Sequence, residues 1–267
     1  MVATIWDAAH LPVPHVEVAE RFHLLWIRDG ASEVTVDGTT HRLTVGMGCM
    51  IAPSQYYMIR LTDSTSRIGE IAFLPNETLP VSLHEAFVVP YVETLYPTYV
   101  YKAHVKQDRV ALQAVEKAWR RLVNQDALSE YDATLQLAVV WRHWIQRVEE
   151  PITRSKSQTR FIELLRLVHV DRQTRLSLDE LAKRHGMSKS ECCRLFMRHL
   201  GTTPSQYIQA VRMQDVAKTL QTTEMSIAEA ARQYGYSSVS HFVQAFKKIH
   251  TLTPLAYRRA IKQKEPT

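Results

Sequence analysis

Between Arg21 and Arg60 the apolar residues fall in short β-rich stretches, FHLLWI and EVTV among them, separated by glycines. That spacing predicts strands. Asp37-Gly38, between EVTVD and THRLTV, suits a two-residue hairpin whose backbone needs positive φ, and Gly46 and Gly48 punctuate the next connection. An antiparallel sheet or small barrel follows. Pro75, Pro80, Pro90 and Pro97 interrupt residues 74–105, where YVYKAHV reads as one more strand. From 107 to 148 Pro and Gly disappear. Val110, Val115, Trp119 and Leu122, then Leu135, Ala138, Trp141 and Ile145, predict two helices broken near 124–129. The second helix also carries Leu137, Val139, Val140 and Trp144 on other faces. This breadth fits packing within the domain or against a second copy through residues 130–148. The polar EEPITRSKSQ then reads as a linker, giving a domain over 1–150, a connection at 151–158 and a second domain over 159–267.

In the second domain a self-similar unit occurs twice. LDELAKRHGMS, from Leu178, matches IAEAARQYGYS, from Ile227. One extra residue then enters, after which Phe196, Pro204 and Tyr207 match Phe246, Pro254 and Tyr257. Repetition at this period marks a repeated structural unit. Helix starts are explicit: Ser177 with Glu180, Ser188 with Glu191 and Ser226 with Glu229 have capping-box spacing. Thr203-Pro204 and Thr253-Pro254 add a cap followed by proline in the first helical position. Gly186 and Gly235 fall where a helix-turn-helix makes its tight turn, and SQYIQAVRMQDVAKTLQ reads as one rigid helix between the units, about 25 Å long.

The second helix of each unit has an apolar side at i, i+3, i+4 and i+7. Cys192, Leu195, Phe196 and His199 form it in one unit, and Phe242, Ala245, Phe246 and Ile249 in the other. The opposite side offers Lys189, Ser190, Cys193, Arg194 and Arg198, then Val239, Ser240, Val243, Gln244, Lys247 and Lys248. Such helices fit the major groove. A guanidinium donates two parallel bonds to guanine and an amide pairs with adenine, so Arg194 and Gln244 are the principal base readers. Arg198, Lys247 and Lys248 suit phosphates. Two recognition helices about 34 Å apart let one chain read an asymmetric site in double-stranded DNA.

Charge sharpens this division. Residues 158–267 hold 18 Lys and Arg against 9 Asp and Glu, a net +9, whereas residues 1–157 hold 15 against 18, a net −3. The basic half attracts a phosphate backbone by counterion release. Three cysteines, two of them adjacent, make no disulfide framework. With no long apolar run and no leader at the N-terminus, a cytoplasmic protein without a membrane segment is expected.

The segments SLDELAKRHGMS, CRLFMRHLGTTPSQYI, AVRMQDVAKTL, SIAEAARQYGYSSVSHFVQAFKK and TPLAYRR, in this order and spacing, resemble the AraC/XylS family of bacterial transcription regulators. The resemblance covers Phe161 to Ala260. It implies an all-α domain of two helix-turn-helix units joined by a long helix, with Ser190, Cys193, Arg194, Val239, Ser240 and Gln244 facing bases and binding near promoters where RNA polymerase is recruited. The turn glycine usual after the second unit is replaced in HTLTP by Thr251 or Leu252. LLWIRDGASEVTVDGTTHRLTVGMGCMIAPSQ resembles the cupin-like sensor that often precedes this domain, which implies an antiparallel β-barrel with helices, a bound small effector and helices that commonly dimerise. The fold class expected is thus two-domain α+β. The His-x-His ligand pattern of metal cupins is absent, and Gln55 to Tyr57 stands where many relatives carry histidine.

For an effector pocket the candidates are His23, Trp26, Tyr56, Tyr57 and Arg60, an apolar set with a few polar groups, and a plain barrel core explains them equally well. Strand alternation sets His23 and Trp26 on opposite faces. His10, His15, His23 and His41 lack metal-ligand spacing, so no metal and no cofactor is expected. A nucleophile and base set is likewise missing, so an enzyme is not expected. Control by a small effector leads, with control by a protein partner and a cupin enzyme fused to a DNA-binding domain as alternatives.

Overall fold

The computed structural model describes residues 1–7, 15–124, 128–170 and 176–262. It divides into two units, Met1–Ser155 and Lys156–Thr267. In the first, β1 (Val2–Trp6), β2 (His15–Val18), β3 (Phe22–Asp29), β4 (Ala31–Val36), β5 (Thr39–Thr44), β6 (Met47–Ile51), β7 (Tyr56–Leu61), β8 (Arg67–Phe73) and β9 (Tyr99–Lys102) form two antiparallel sheets. Their strand orders are β1-β8-β3-β6-β9 and β2-β7-β4-β5. Two short helices, α1 (His84–Phe87) and α2 (Val89–Val92), occupy the proline-rich stretch, and α3 (Lys106–Asn124) and α4 (Ser129–Ile145) follow β9.

Strand β3 belongs to two cores at once. Its Phe22, Leu24 and Trp26 point to α3 and α4, where they pack with Trp119, Leu137, Trp141 and Trp144. Leu25 and Ile27 point the other way, into the space between the sheets with Val34, Leu43, Ile51, Tyr57 and Ile59. Alternation at period two thus builds three layers, helices over one sheet over the other. Burial of one large apolar side chain contributes about 1.5–3 kcal/mol, so neither core tolerates a slip of register, which would exchange the two faces. Trp26 lies across Gly69, its antiparallel partner. A Cβ there would come within 2.2 Å of the indole, which explains the glycine. The Asp37-Gly38 hairpin takes positive φ at both positions, 48° and 90°, as the primed turn requires.

Strands β1, β2 and β8 lie outside the stretch that the sequence pattern marks as strands. After α4 the chain stays on the first unit. The Ile152 N–H donates to the Leu95 carbonyl at 2.9 Å, and the Arg154 guanidinium donates to the Ser54 carbonyl at 2.8 Å and to the Asp37 carboxylate at 3.3 Å. Burial raises the pKa of Asp37, with Arg154 and the Tyr56 amide opposing the shift. The polar stretch read as a linker is therefore fastened to the β unit as far as Arg154.

The second unit is helical among its described residues: α5 (Lys156–Val170), α6 (Leu178–Arg184), α7 (Lys189–Leu200), α8 (Pro204–Thr222), α9 (Ile227–Gln233), α10 (Val239–His250) and α11 (Pro254–Lys262). Hydroxyl caps start four of them where the sequence places them, while α10 starts at Ser238, which the capping-box spacing does not mark. Ser177, Thr203 and Ser226 make reciprocal capping boxes with Glu180, Gln206 and Glu229, and Ser188 accepts from the Glu191 amide. Each cap satisfies an amide that otherwise has no partner. Gly201 closes α7 in the left-handed region, φ 65°, and Thr251 closes α10 in the same region, φ 61°. Thr251 is thus the residue standing for the missing turn glycine. No helix of the described residues is long and apolar enough to cross a membrane.

A β-branched residue in the left-handed region costs about 1–2 kcal/mol. Thr251→Gly is therefore expected to stabilise the protein by about 1 kcal/mol, net of the extra freedom glycine has when unfolded, measured as a raised denaturation midpoint at unchanged slope. His250 supplies a second test. Its ring stacks on Phe246 at 4.3 Å, Nε2 donates to the Met213 carbonyl at 3.0 Å and Nδ1 has no partner. Burial lowers its pKa from 6.5, with the bond to Met213 opposing. The unfolded chain then takes up this proton first, so stability falls as pH drops below about 6.5. In urea titrations between pH 7.5 and 5, the His250→Gln variant should show a shallower loss than the parent; equal slopes would remove this role.

Candidate nucleic-acid interface

The two helix-turn-helix units share the same closing bonds at the turn glycine and the residue after it. In the first, Gly186 takes φ 59° and the Met187 N–H donates to the Ala182 carbonyl at 3.1 Å. In the second, Gly235 takes φ 75° and the Tyr236 N–H donates to the Ala231 carbonyl at 2.8 Å. The extra residue of the second unit falls after this turn, because the cap of α7 is Ser188 and the cap of α10 is Ser238.

Beyond the turns, α7 buries Cys192, Leu195 and Phe196, and α10 buries Phe242, Ala245 and Phe246. Burial holds the Cys192 thiol up at about 11, so this cysteine is a packing residue. On the other side of α7 lie exposed Lys189, Ser190, Arg194 and Arg198, with Cys193 half-buried. On α10 lie exposed Val239, Ser240, Gln244, Lys247 and Lys248, with Val243 half-buried. His199 and Ile249, read as buried-face residues, are only half-buried, and the fully buried residue near the end of α10 is His250. Lys189 pairs with Asp179 at 2.9 Å, which draws it back toward α6. Arg194 and Arg198 have no ion-pair partner among the described residues.

Sequence reasoning missed the exposed His241 and Met197 on these helices. It also missed a cleft of about 550 Å³ lined by Ser177, Gln209, Arg212, Tyr236, Ser237 and His241. These residues come from the cap of α6, from α8, from the turn between α9 and α10, and from α10, so no single helical face in the sequence assembles them.

The five effector candidates do not share one place. His23 and Tyr57 meet between the sheets, where the Tyr57 hydroxyl lies 3.2 Å from His23 Nδ1 and has its one proton to donate to Glu70, at 3.1 Å, or Glu17, at 3.2 Å. His23 Nδ1 lies 2.7 Å from Glu70, His15 lies 3.0 Å from Glu17, and the Trp6 indole donates to Glu70 at 2.7 Å. Burial, then Glu70 and Glu17, hold the Tyr57 hydroxyl well above its ordinary pKa, and it stays a proton donor. Trp26 instead faces the helices and donates to Glu116 at 3.1 Å. Tyr56 lies beside Asp37 and Arg154, on the other face from Tyr57, and Arg60 is exposed near Glu33. Of the histidines weighed as metal ligands, His15 and His23 join this cluster, His41 sits on β5, and His10 lies outside the described residues. No group of three His, Cys, Asp or Glu side chains among the described residues could hold a metal ion.

Residues 181–260 match the model of a helix-turn-helix domain. The HTH-type transcriptional activator AarP of Providencia stuartii is 32% identical over 113 residues, 40% of this chain and 84% of AarP. The chain belongs to the AraC/XylS family of helix-turn-helix transcription regulators. Two longer relatives extend the AraC-type likeness. An HTH-type transcriptional regulator of Bacillus subtilis, YdeC, is 29% identical over 189 residues, 69% of this chain. A Haemophilus influenzae HTH-type regulator is 30% identical over 138 residues, 51% of this chain. The chain spans 65% and 45% of their respective lengths. In fold, the chain is similar to the crystal structure of apo ToxT K231A from Vibrio cholerae, with a TM-score of 0.53 over 97% of each chain at 13% identity. That likeness shows a shared fold, antiparallel sheets followed by a helical domain.

Proposed function

We propose that the chain is a sequence-specific DNA-binding transcription regulator whose first unit senses a small molecule. One observation carries the reading. Two helix-turn-helix units in a basic domain each bury one side of the second helix and turn Arg194 or Gln244 outward, with no carboxylate among the described residues paired to Arg194. The major groove supplies what these groups lack: acceptors on guanine for Arg194 and the paired donor and acceptor of adenine for Gln244. Lys247, Lys248 and Arg198 lie further along the helices, suited to flanking phosphates. Ser190, Cys193, Val239 and Ser240 complete the base-facing set, and Lys189 reaches the backbone only by leaving Asp179.

The sensor reading rests on the cluster around Glu70. Charged and polar groups between two apolar sheets cost desolvation that packing alone would avoid, and His23, Tyr57 and Glu17 offer a ligand both donors and acceptors. ToxT, which shares the fold, has been solved with an unsaturated fatty acid bound. Control by a protein partner has no comparable cluster in its favour, and the relatives are regulators, which supports a non-enzymatic role. RNA polymerase is the partner an activator of this family would recruit, in the cytoplasm. Leu128, Tyr131, Leu135 and Val139 form an exposed apolar stripe on α4, opposite the buried Leu137, Trp141 and Trp144. Spaced by three and four residues, it suits a homodimer seam.

Selection of DNA by the purified protein at fixed salt should return an asymmetric two-groove motif, relaxed at one position by Arg194→Ala and at another by Gln244→Ala, each at a cost of about 1–3 kcal/mol. Binding that depends on salt alone and ignores both substitutions would sink the reading. For the homodimer, sedimentation equilibrium at micromolar concentration should give twice the chain mass for the parent and the single mass for Leu135→Glu/Val139→Glu. A monomeric parent, with and without DNA, rules the seam out.

A further inference from the structure

Within the first unit, where α4 ends, the surface carries an open cleft of about 520 Å³ lined by Tyr91, Tyr96, Ile145, Val148, Glu149, Glu150 and Pro151. It lies apart from the cluster at Glu70, on the helical side of the unit. The rings of Tyr91 and Tyr96 stand 5.5 Å apart, and each is 5.8 Å from the buried Trp144. Trp144 in turn stacks on Trp141 at 4.9 Å. The aromatic wall is therefore a fixed part of the core. The segment carrying Glu149 and Glu150 is fastened beside Tyr96 by the backbone, since the Ile152 N–H donates to the Leu95 carbonyl at 2.9 Å, and both carboxylates line the cleft.

Three independent effects then act on a guest in the same sense. Aromatic faces are negative at their centres and attract a cation within about 6 Å. Glu149 and Glu150 are exposed carboxylates at the rim. The cleft also opens at the C-terminus of α4, the negative end of a 17-residue helix. Ile145 and Val148 add apolar floor. Arg147, the cation nearest in sequence, acts on Tyr99 and does not line the cleft.

We propose that this cleft is a binding site for a small organic ammonium ion, its charged head against Tyr91, Tyr96 and the two carboxylates and its apolar part against Ile145 and Val148. A neutral guest keeps only the apolar contact, and an anionic one is opposed by the carboxylates. The proposal stands apart from the reading of DNA recognition, because ligand binding is measured on the free protein.

The test is calorimetric titration of the full chain with benzyltrimethylammonium, with choline, and with 3,3-dimethylbutan-1-ol, the uncharged isostere of choline. Saturable binding of benzyltrimethylammonium is expected, with the neutral isostere at least about tenfold weaker than choline. Glu149→Gln/Glu150→Gln, at exposed positions that leave the fold intact, should weaken the cations about tenfold and leave the isostere unchanged. Tyr96→Leu, checked for native circular dichroism, should abolish the preference for the cation. No saturation up to about 10 mM, beyond the millimolar range of weak complexes, would overturn the proposal. So would equal binding of choline and its isostere, or cation binding untouched by the double Gln variant.

Discussion

One contact occurs twice and sets the geometry of the second unit. Phe196 packs on Tyr207 at 5.5 Å, and Phe246 packs on Tyr257 at 5.4 Å. In each case the phenylalanine comes from the middle of the second helix of a unit and the tyrosine from the first turn of the helix that follows. Both tyrosine hydroxyls are occupied, one 2.8 Å from His169 Nε2 and the other accepting from Gln221 at 2.9 Å. Each ring is thereby held from both ends, and the rotation of the second helix about its own axis is fixed. A helix has 3.6 residues per turn, so a phenylalanine locked inward leaves the residue two positions earlier turned well away from it. Those residues are Arg194 and Gln244.

The second unit was legible in the sequence because its signals are local and doubled. Caps, turn glycines and the i, i+3, i+4 pattern all lie within a dozen residues of what they specify, and each copy checks the other. Even the unusual end of the second unit was marked, with Thr251 standing where glycine is normal. The first unit was legible only in part. Asp37-Gly38 announced one hairpin, but β8, RIGEIAF, is buried almost throughout and so lacks the alternation that reveals a half-exposed strand. The pairing of β1 with β8 joins residues about seventy positions apart.

The same distance limits what could be read of the proposed sensor site. Alternation correctly put His23 and Trp26 on opposite faces of β3, yet nothing near His23 pointed to Glu70, 47 residues away. Tyr56 and Tyr57, adjacent in sequence, went to opposite sides of their strand and into different surroundings. The cleft beside Tyr96 was equally hidden, because its walls come from α2, the chain before β9 and the end of α4.

The extra residue that separates the turn from the cap in the second unit has a further consequence. Outside it, the two units bury the same helical positions and differ outward: Arg194 against Gln244, Cys193 against Val243, Met197 against Lys247. A reader made of two unlike halves on one chain has a front and a back. Turned end for end on the duplex, it would offer each half the bases meant for the other. On the proposed reading, orientation along the DNA is written into a single polypeptide, and a neighbouring gene can be favoured on one side without any second molecule to mark the direction.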